Sequence, residues 1–358
     1  MIYFLCPDLP YPTGGAKQIH LQATYLQEAG HDVTILYTGS QRPRIWFPTT
    51  APCRLAPPWL GNKNSYRQSI FWLRQAFFKR WNYPLHLKLS PLSILPTNRD
   101  LLIVPEIYAA QLGELPPKIP KVILNQNCFL TFHGLNAAPA IGSGCLLHSY
   151  MASGVIGHLA NSPYVEAYLR WSFPGLAIRT LELGVVSPAS VPKLDQRDPI
   201  IVFFPRKSVD ILQQLFGILR NRGALIGWRL KALEGLSESA VAHEFRQARL
   251  YVASSLQEGL GLPPLEAMAN GCAVVGFPAW GGDAFVTEAV SRPVRTGDVL
   301  SLAVAVEESL IQLMADPSAW QAKVDRARDM VKQHYDPTRA AASSLEAFGA
   351  FLNINETN

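Results

Sequence analysis

The first 40 residues alternate between short apolar runs and polar or glycine-rich breaks. Residues 2–6 form an apolar run of strand length, residues 7–15 are rich in Pro and Gly, and residues 33–37 form a second apolar run. Between the two runs, apolar residues recur with helical spacing over residues 16–29, and Gly30 is a typical helix stop. This order predicts a β-α-β unit, which is typical of a parallel sheet.

The same alternation continues along the chain and predicts mostly parallel, doubly wound sheets. Further strands are expected at 101–105, 122–125, 155–160, 178–183, after Pro199, and at 229–232, 250–253 and 273–277; helices are expected at 164–171, 239–248, 299–315, 317–333 and 338–352.

The chain length favours two domains, because 358 residues exceed what one hydrophobic core usually serves. Residues 187–199 contain three prolines and many polar residues, which is typical of a linker. We therefore expect an N-terminal Rossmann-like domain over residues 1–185, a C-terminal one over residues 186–337, and a final helix over residues 338–358.

Composition narrows the class of protein. Hydrophobic residues make up 48% of the chain, yet no stretch approaches the roughly 20 uninterrupted apolar residues that a membrane-spanning helix requires. The N-terminus lacks the basic region of a signal peptide, and the five cysteines show no CxxC spacing. We expect a cytoplasmic protein with free thiols and without a metal site.

Positive charge is concentrated in the first half of the chain. No acidic residue lies between Asp32 and Asp100, whereas residues 42–99 carry ten Lys or Arg residues and four tryptophans. Residues 66–81 predict an amphipathic helix within this region. Two interpretations stay open: a helix with a solvated basic face, or a surface that contacts anionic lipid or an anionic acceptor. Nucleic acid is not expected as a partner, because no binding motif accompanies the charge.

The segment from Glu258 to Gly271 carries the most informative pattern. An apolar strand precedes it, and Pro263-Pro264 favours a helix start, so residues 258–262 are expected to form a strand-to-helix loop. Gly259 and Gly261 would give this loop its backbone freedom and turn its N–H groups towards a phosphate or hydroxyl-rich ligand. Glu266 is expected in the first helical turn, and a purely structural role of both glutamates, as helix-start carboxylates on a glycine-rich turn, stays open.

Two other short segments could contact an anion. Arg206 and Lys207 end the strand that follows Pro199, and can bind phosphate oxygens or serve as surface charge. Gly14-Gly15 stands before the first helix, where it can hold a phosphate or form a simple turn.

With these residues in view, the segment Glu258-Gly-Leu-Gly-Leu-Pro-Pro-Leu-Glu266 resembles the E-x7-E motif of the retaining glycosyltransferases of family four. The resemblance implies the GT-B fold, α/β, with two Rossmann-like doubly wound parallel-sheet domains facing a cleft. It also implies that Glu258 lies beside the donor sugar, that Glu266 binds the ribose, and that Gly259, Leu260, Gly261 and Leu262 offer N–H donors to the sugar and phosphates.

The same resemblance extends to other parts of the chain. It assigns Gly14, Gly15, Arg206 and Lys207 to the donor diphosphate, although the family usually separates its Arg and Lys by several residues. The family's N-lobe histidine has His133 as its nearest candidate, with Asn125, Gln126 or Asn127 as neutral alternatives, and a structural role for His133 stays open. Residues 161–164 resemble the family's strand–turn–helix near the end of the first lobe, and the last helix is expected to cross back to the N-terminal domain.

The resulting hypothesis is a retaining transferase that moves a sugar from a nucleotide-sugar to a glycan, lipid-linked or small-molecule acceptor. No cofactor and no metal are expected, because the cations and backbone N–H groups would stabilise the leaving diphosphate. The expected location is cytoplasmic, with peripheral contact to the inner face of an anionic membrane through residues 42–99 as an open alternative. A GT-B sugar-nucleotide epimerase and a non-catalytic glycan-binding homologue are the competing hypotheses; a dehydrogenase lacks its glycine fingerprint here.

Overall fold

The computed structural model describes residues 1–39, 43–57, 96–108, 112, 115–132 and 150–356, with the backbone alone for residues 353–356. The chain divides into two compact units. The first contains Met1–Leu181 together with Ala341–Asn358, and the second contains Glu182–Ala340.

The first unit is built on a sheet of seven described strands, all parallel, in the order β3-β2-β1-β4-β5-β6-β7. The order reverses direction beside β1, as in a doubly wound fold. The strands are β1 (Ile2–Pro7), β2 (Val33–Thr38), β3 (Cys53–Leu55), β4 (Leu101–Pro105), β5 (Lys121–Asn125), β6 (Val155–Ala160) and β7 (Ile178–Thr180); the described helices are α1 (Gly14–Glu28) and α2 (Pro163–Ser172).

The end of the chain completes the core of the first unit. The last helix, α8 (Pro337–Glu356), carries Phe348 and Phe351, which are both buried. The ring of Phe348 lies 5.7 Å from that of Phe4 in β1. A side chain at position 157 in β6 would place its Cβ 2.0 Å from the ring of Phe351, so Gly157 leaves the space that this ring fills.

The second unit has a sheet of five parallel strands in the order β12-β11-β10-β8-β9. Its core combines the apolar faces of α3 and α6 with the central strands. The strands are β8 (Asp198–Phe203), β9 (Arg229–Ala232), β10 (Ala248–Ala253), β11 (Ala273–Gly276) and β12 (Arg292–Pro293); the helices are α3 (Val209–Asn221), α4 (Glu238–Gln247), α5 (Leu262–Ala269), α6 (Val299–Ala315) and α7 (Ser318–His334).

The buried guanidinium of Arg197 connects three segments at the edge of this sheet where β10 begins. Arg197 donates to the carbonyl oxygens of Phe245, Ala248 and Asn270 at 3.0, 3.3 and 3.0 Å. These carbonyls lie at the end of α4, the start of β10 and the end of α5. Burial lowers the pKa of Arg197, but its hydrogen bonds satisfy the charge. These hydrogen bonds stabilise the second unit at the amino-terminal edge of its sheet, opposite the carboxyl ends of the strands.

The structure confirms the predicted fold class, two parallel-sheet α/β units. The structure adds one helix that was not predicted and shortens one predicted strand, and one predicted helix lies outside the described residues. The helix α3 was not predicted, and the strand expected at 178–183 ends at Thr180, because the chain leaves the sheet after the bond from Leu181 N–H to the Ala160 carbonyl at 2.7 Å. The amphipathic helix expected over residues 66–81 lies outside the described residues.

Candidate functional site

Three loops of the second unit lie side by side where their strands end. The strands β8, β10 and β11 are parallel neighbours, so residues 204–208, 254–261 and 277–283 emerge at one edge of the sheet. Ligands of open α/β sheets bind at this carboxyl edge. The predicted residues Arg206, Lys207 and Glu258 all lie in these loops.

An ion pair joins the first two loops. The ammonium of Lys207 contacts both carboxylate oxygens of Glu258, at 2.8 and 2.7 Å. The Lys207 side chain is 35% exposed and that of Glu258 is 16% exposed, so the pair is open to solvent on one side. A cation thus lies directly beside a carboxylate, and a ligand with both phosphate and hydroxyl groups could contact the two together.

The backbone of Glu258 is fixed by the third loop. Its N–H donates to the carbonyl oxygen of Ala279 at 3.1 Å, and its own carbonyl accepts from Gly281 N–H at 3.2 Å. These bonds form a parallel β-bridge between Glu258 and Trp280. Position 281 has no room for a side chain, because a Cβ there would lie 2.1 Å from the carbonyl oxygen of Gly259. Close contact of the two loops therefore holds Glu258 in place.

A buried hydrogen bond links the first two loops beneath the ion pair. The hydroxyl oxygens of Ser208 and Ser254 lie 2.6 Å apart, and both residues are buried. Ser208 also ends the Arg206–Lys207 turn, since its N–H donates to Pro205 at 3.1 Å. The positions of the two cations are thus coupled to the end of β10.

The glycine loop leads directly into α5. Gly261 is the N-cap of this helix with φ 93° and ψ 65°, a left-handed conformation that favours glycine. Gly259 has no positive φ, so only one of the two glycines uses the expected backbone freedom. Leu260 is buried, which fixes the loop on the core, and Leu262 begins the helix.

The expectation for Glu266 needs one correction. The helix begins at Leu262, so Glu266 lies in its second turn and not in the first. Its side chain is half-buried. The pKa of the neighbouring Tyr251 is raised well above its usual value, mainly by burial and then by the negative charges of Glu258 and Glu266. Both carboxylates therefore act electrostatically on the same buried hydroxyl, that of Tyr251 in β10.

In the first unit, Gly14 and Gly15 lie at the N-terminus of α1. They form the first two helical residues, whereas the sequence placed them before the helix. Thr13 is the N-cap, and its hydroxyl accepts from Ala16 N–H at 3.1 Å. The side chain of Gln126, at the end of β5, lies against Gly15, because a Cβ there would be 3.3 Å from Gln126 Oε1. This helix start and the end of β5 thus lie together.

Sequence reasoning missed a set of buried polar groups beside Gln126. Glu106, at the end of β4, is 3% exposed and accepts the N–H of Asn127 at 3.0 Å through Oε1. Asn161 donates from Nδ2 to the carbonyl of Gln126 at 2.7 Å. Glu106 Oε2, Gln126 Oε1 and Asn161 Oδ1 are buried and accept no hydrogen bond in the structure. Burial raises the pKa of Glu106 to about 7. No local pattern in the sequence marks Glu106, because strand pairing brings it to this turn.

Two of the three alternatives to the N-lobe histidine, Asn125 and Asn127, have structural roles. His133 lies outside the described residues. Asn125 is buried and structural, since it accepts from the Tyr150 hydroxyl at 2.8 Å and donates to two strand carbonyls. Asn127 accepts the N–H of Phe129 at 3.2 Å and caps a short 3₁₀ helix. Of the three residues at this turn, Gln126 is the one whose side-chain oxygen has no partner.

No described group of three or more His, Cys, Asp or Glu side chains could hold a metal ion. Within the same residues, every helix is too short or too polar to cross a bilayer.

Comparison with known proteins adds to this geometry. Residues 210–313, from α3 to α6, match the model of the family glycosyl transferases group 1, and this range includes Glu258 and Glu266. An α-1,6-glucosyltransferase of Actinobacillus pleuropneumoniae serotype 7 (strain AP76) is 27% identical over 202 residues, which are 51% of this chain and 54% of that protein. The chain thus spans about half the length of this curated relative.

Solved structures match along nearly the whole chain. Sucrose-phosphate synthase from Thermosynechococcus elongatus is 16% identical with a TM-score of 0.65, over 100% of this chain and 99% of that one. Anabaena HepE in complex with UDP and glucose is 14% identical with a TM-score of 0.61, over 98% of this chain and 99% of that one. The chain therefore has the GT-B fold, and residues 210–313 are similar to the glycosyl transferases group 1 family.

Proposed function

We propose that this protein is a retaining, metal-independent glycosyltransferase that uses a nucleotide-sugar as donor. The observation that carries the proposal is the contact of Lys207 with both carboxylate oxygens of Glu258 at the carboxyl edge of the second sheet. The similarity of residues 210–313 to glycosyl transferases group 1 supports the same conclusion independently.

The donor diphosphate lies, in this proposal, between the cations of the first loop and the start of α5. Arg206 and Lys207 are exposed at the end of β8, where they can neutralise phosphate oxygens. The N–H groups of residues 259–262 and the positive end of the helix add donors. Glu266 binds the ribose hydroxyls.

Catalysis follows from charge stabilisation. The bond between the sugar's anomeric carbon and the diphosphate oxygen breaks, and the acceptor oxygen bonds to the same carbon on the same face. The proton of the acceptor hydroxyl passes to the departing phosphate oxygen, so no protein base is required. Arg206 and Lys207 stabilise the negative charge that develops on the diphosphate, which is the role that a metal ion has in other transferases. Glu258 accepts hydrogen bonds from the donor sugar.

We also propose a chemical class for the donor and for the acceptor. HepE has been solved with UDP and glucose, and the curated relative is an α-1,6-glucosyltransferase, so UDP-glucose is the first donor to test. The acceptor is a glycan, lipid-linked or small hydroxyl compound.

The test is an assay of UDP release from UDP-glucose with a panel of glucosides, in EDTA, followed by NMR of the product. A new α-glycoside would support the proposal. A β-glycoside would contradict the retaining mechanism, a modified UDP-sugar without an acceptor product would identify an epimerase, and no turnover with any nucleotide-sugar would contradict an enzymatic role.

A further inference from the structure

The third loop of the second unit contains an aromatic residue in an unusual backbone conformation. Ala279 and Trp280 have φ values of 55° and 74°, and they are the two non-glycine residues with positive φ in the described part of the chain. A bulky aromatic side chain disfavours this region, because its Cβ approaches the neighbouring carbonyl. Conformations of this kind persist where surrounding structure holds them, and they cluster at ligand sites.

The contacts of the loop explain what holds Trp280. The bridge to Glu258 fixes the loop on one side, since Ala279 accepts from Glu258 N–H and Gly281 donates to the Glu258 carbonyl, at 3.1 and 3.2 Å. Thr296 fixes it on the other, because its hydroxyl accepts the N–H of Ala279 at 3.2 Å. The conformation is therefore imposed by contact with Glu258 and not by the residue type at position 280.

The loop offers one large side chain beside Glu258. A Cβ at position 281 would lie 2.1 Å from a carbonyl oxygen of the glycine loop, and one at position 282 would lie 2.4 Å from the carbonyl of Pro278, so neither position can carry a side chain. Ala279 is buried and has only a methyl group. Trp280, by contrast, is 46% exposed.

The chemistry of this pair matches a sugar ring. A carboxylate accepts hydrogen bonds from hydroxyl groups, while the indole face packs against the C–H groups of a pyranose. The uracil of UDP would stack on an aromatic ring but has a single N–H donor for a carboxylate. From the proposed function, on which this step rests, we infer that Trp280 is a specificity-determining residue that forms a wall of the donor-sugar pocket beside Glu258.

Removal of the Trp280 side chain should leave the stability of the fold unchanged or raise it. Glycine and asparagine adopt positive φ more easily than tryptophan, so Trp280→Gly and Trp280→Asn should fold with a Tm at or above that of the wild-type chain. Each removes the ring but leaves the backbone bridge to Glu258. Ala279→Gly is the matched control, because it relieves the same type of strain one residue earlier and removes only a buried methyl group.

The experiment measures kcat/KM of the full chain and the three variants with UDP-glucose, UDP-galactose and UDP-N-acetylglucosamine, and the Kd of UDP by calorimetry. In both Trp280 variants the ratio of kcat/KM between the best and second donor should fall by about tenfold, the scale of discrimination that pocket contacts provide. The Kd of UDP should change by less than about twofold, since UDP lacks the sugar. Ala279→Gly should keep the wild-type ratio.

The outcomes separate this inference from the proposed function. If the wild-type chain binds UDP and turns over a donor, but both Trp280 variants keep its donor ratio, the inference is wrong and the proposed function stands. If both variants fail to fold, Trp280 belongs to the fold, which also overturns the inference. If the wild-type chain neither binds UDP nor transfers any of the three sugars, the proposed function itself fails.

Discussion

Lys207 Nζ lies 2.8 and 2.7 Å from the two carboxylate oxygens of Glu258, although 51 positions separate the residues. Adjacent parallel strands, β8 and β10, bring the two residues to one edge of the second sheet. Because both side chains are partly exposed, the pair contributes only about 0–1 kcal/mol to stability. The stability of the fold therefore depends little on this pair.

Glu258→Gln should lower kcat/KM for transfer by about 100-fold or more while the Tm changes little, because the amide keeps the shape but loses the charge next to Lys207. Affinity for UDP should be retained, since the lysine stays available. Glu307→Gln is the matched control: it breaks the Arg222–Glu307 ion pair on α6, away from the three loops. Unchanged transfer in Glu258→Gln would remove Glu258 from the site.

Lys207→Met should weaken UDP binding, in contrast to Glu258→Gln. Loss of a phosphate-binding cation should weaken UDP binding by about 10- to 100-fold, with little change in the free energy of unfolding. Calorimetric titration of UDP into this variant and into Glu258→Gln measures the contrast directly. Equal UDP affinity in the Lys207→Met variant and the wild-type chain would show that Lys207 serves only to hold Glu258.

Gly261→Ala should destabilise the protein by about 1–2 kcal/mol, because alanine disfavours the left-handed conformation at the N-cap of α5. Gly217→Ala is a control for which the opposite effect on stability is expected. It lies inside α3, and apart from its chain neighbours and the nearby helix backbone no atom lies within 4 Å of the added Cβ, so it should stabilise the protein by about 0.5–1 kcal/mol. Urea unfolding of both variants tests the pair, and a stable Gly261→Ala would refute this account of the glycine loop.

Glu106 should give the first unit a pH-dependent stability. Burial raises the pKa of its carboxyl from 4.5 to about 7, so the folded state favours the protonated form. The resulting stabilisation is complete below about pH 4.5 and is lost as the pH rises through 7, a total of about 3 kcal/mol.

Comparison of the wild-type chain with Glu106→Gln isolates this effect. The difference in unfolding free energy between the two should shift by about 3 kcal/mol in favour of the variant between pH 4.5 and pH 8. His158, whose pKa burial lowers to about 4, contributes the opposite slope to both proteins, so its effect cancels. Parallel pH profiles for the two proteins would show that Glu106 is ionised in the fold.

Much of the fold follows from local pattern. The bounds of β4, β6, β9 and α6 agree with the apolar runs and helical spacing of the sequence, because each element buries its own apolar residues. The short strands β3 and β12 have three and two residues, too few for any periodicity, and only tertiary pairing reveals them. Glu266 lies in the second helical turn and not in the first, because the helix begins one residue before the two prolines.

The candidate site was predictable only where a motif lies in one segment. Residues 258–266 could be found from their spacing, whereas the approach of Lys207 to Glu258 depends on strand order. Glu106 and Asn161 meet at the Gln126 turn through pairing of β4, β5 and β6, which no local pattern encodes. The left-handed backbone of Trp280 could not be anticipated either, because tryptophan has no preference for positive φ.

In the proposed function, a nucleotide-sugar binds at the carboxyl edge of the second sheet without metal. The most direct measurement is calorimetric titration of UDP and UDP-glucose, in EDTA, into the wild-type chain and into the Arg206→Ala/Lys207→Met double variant. We predict saturable binding to the wild-type chain and affinity weaker by about 100-fold in the variant. Equal affinity in the two proteins, or no binding of either nucleotide to the wild-type chain, would contradict the claim.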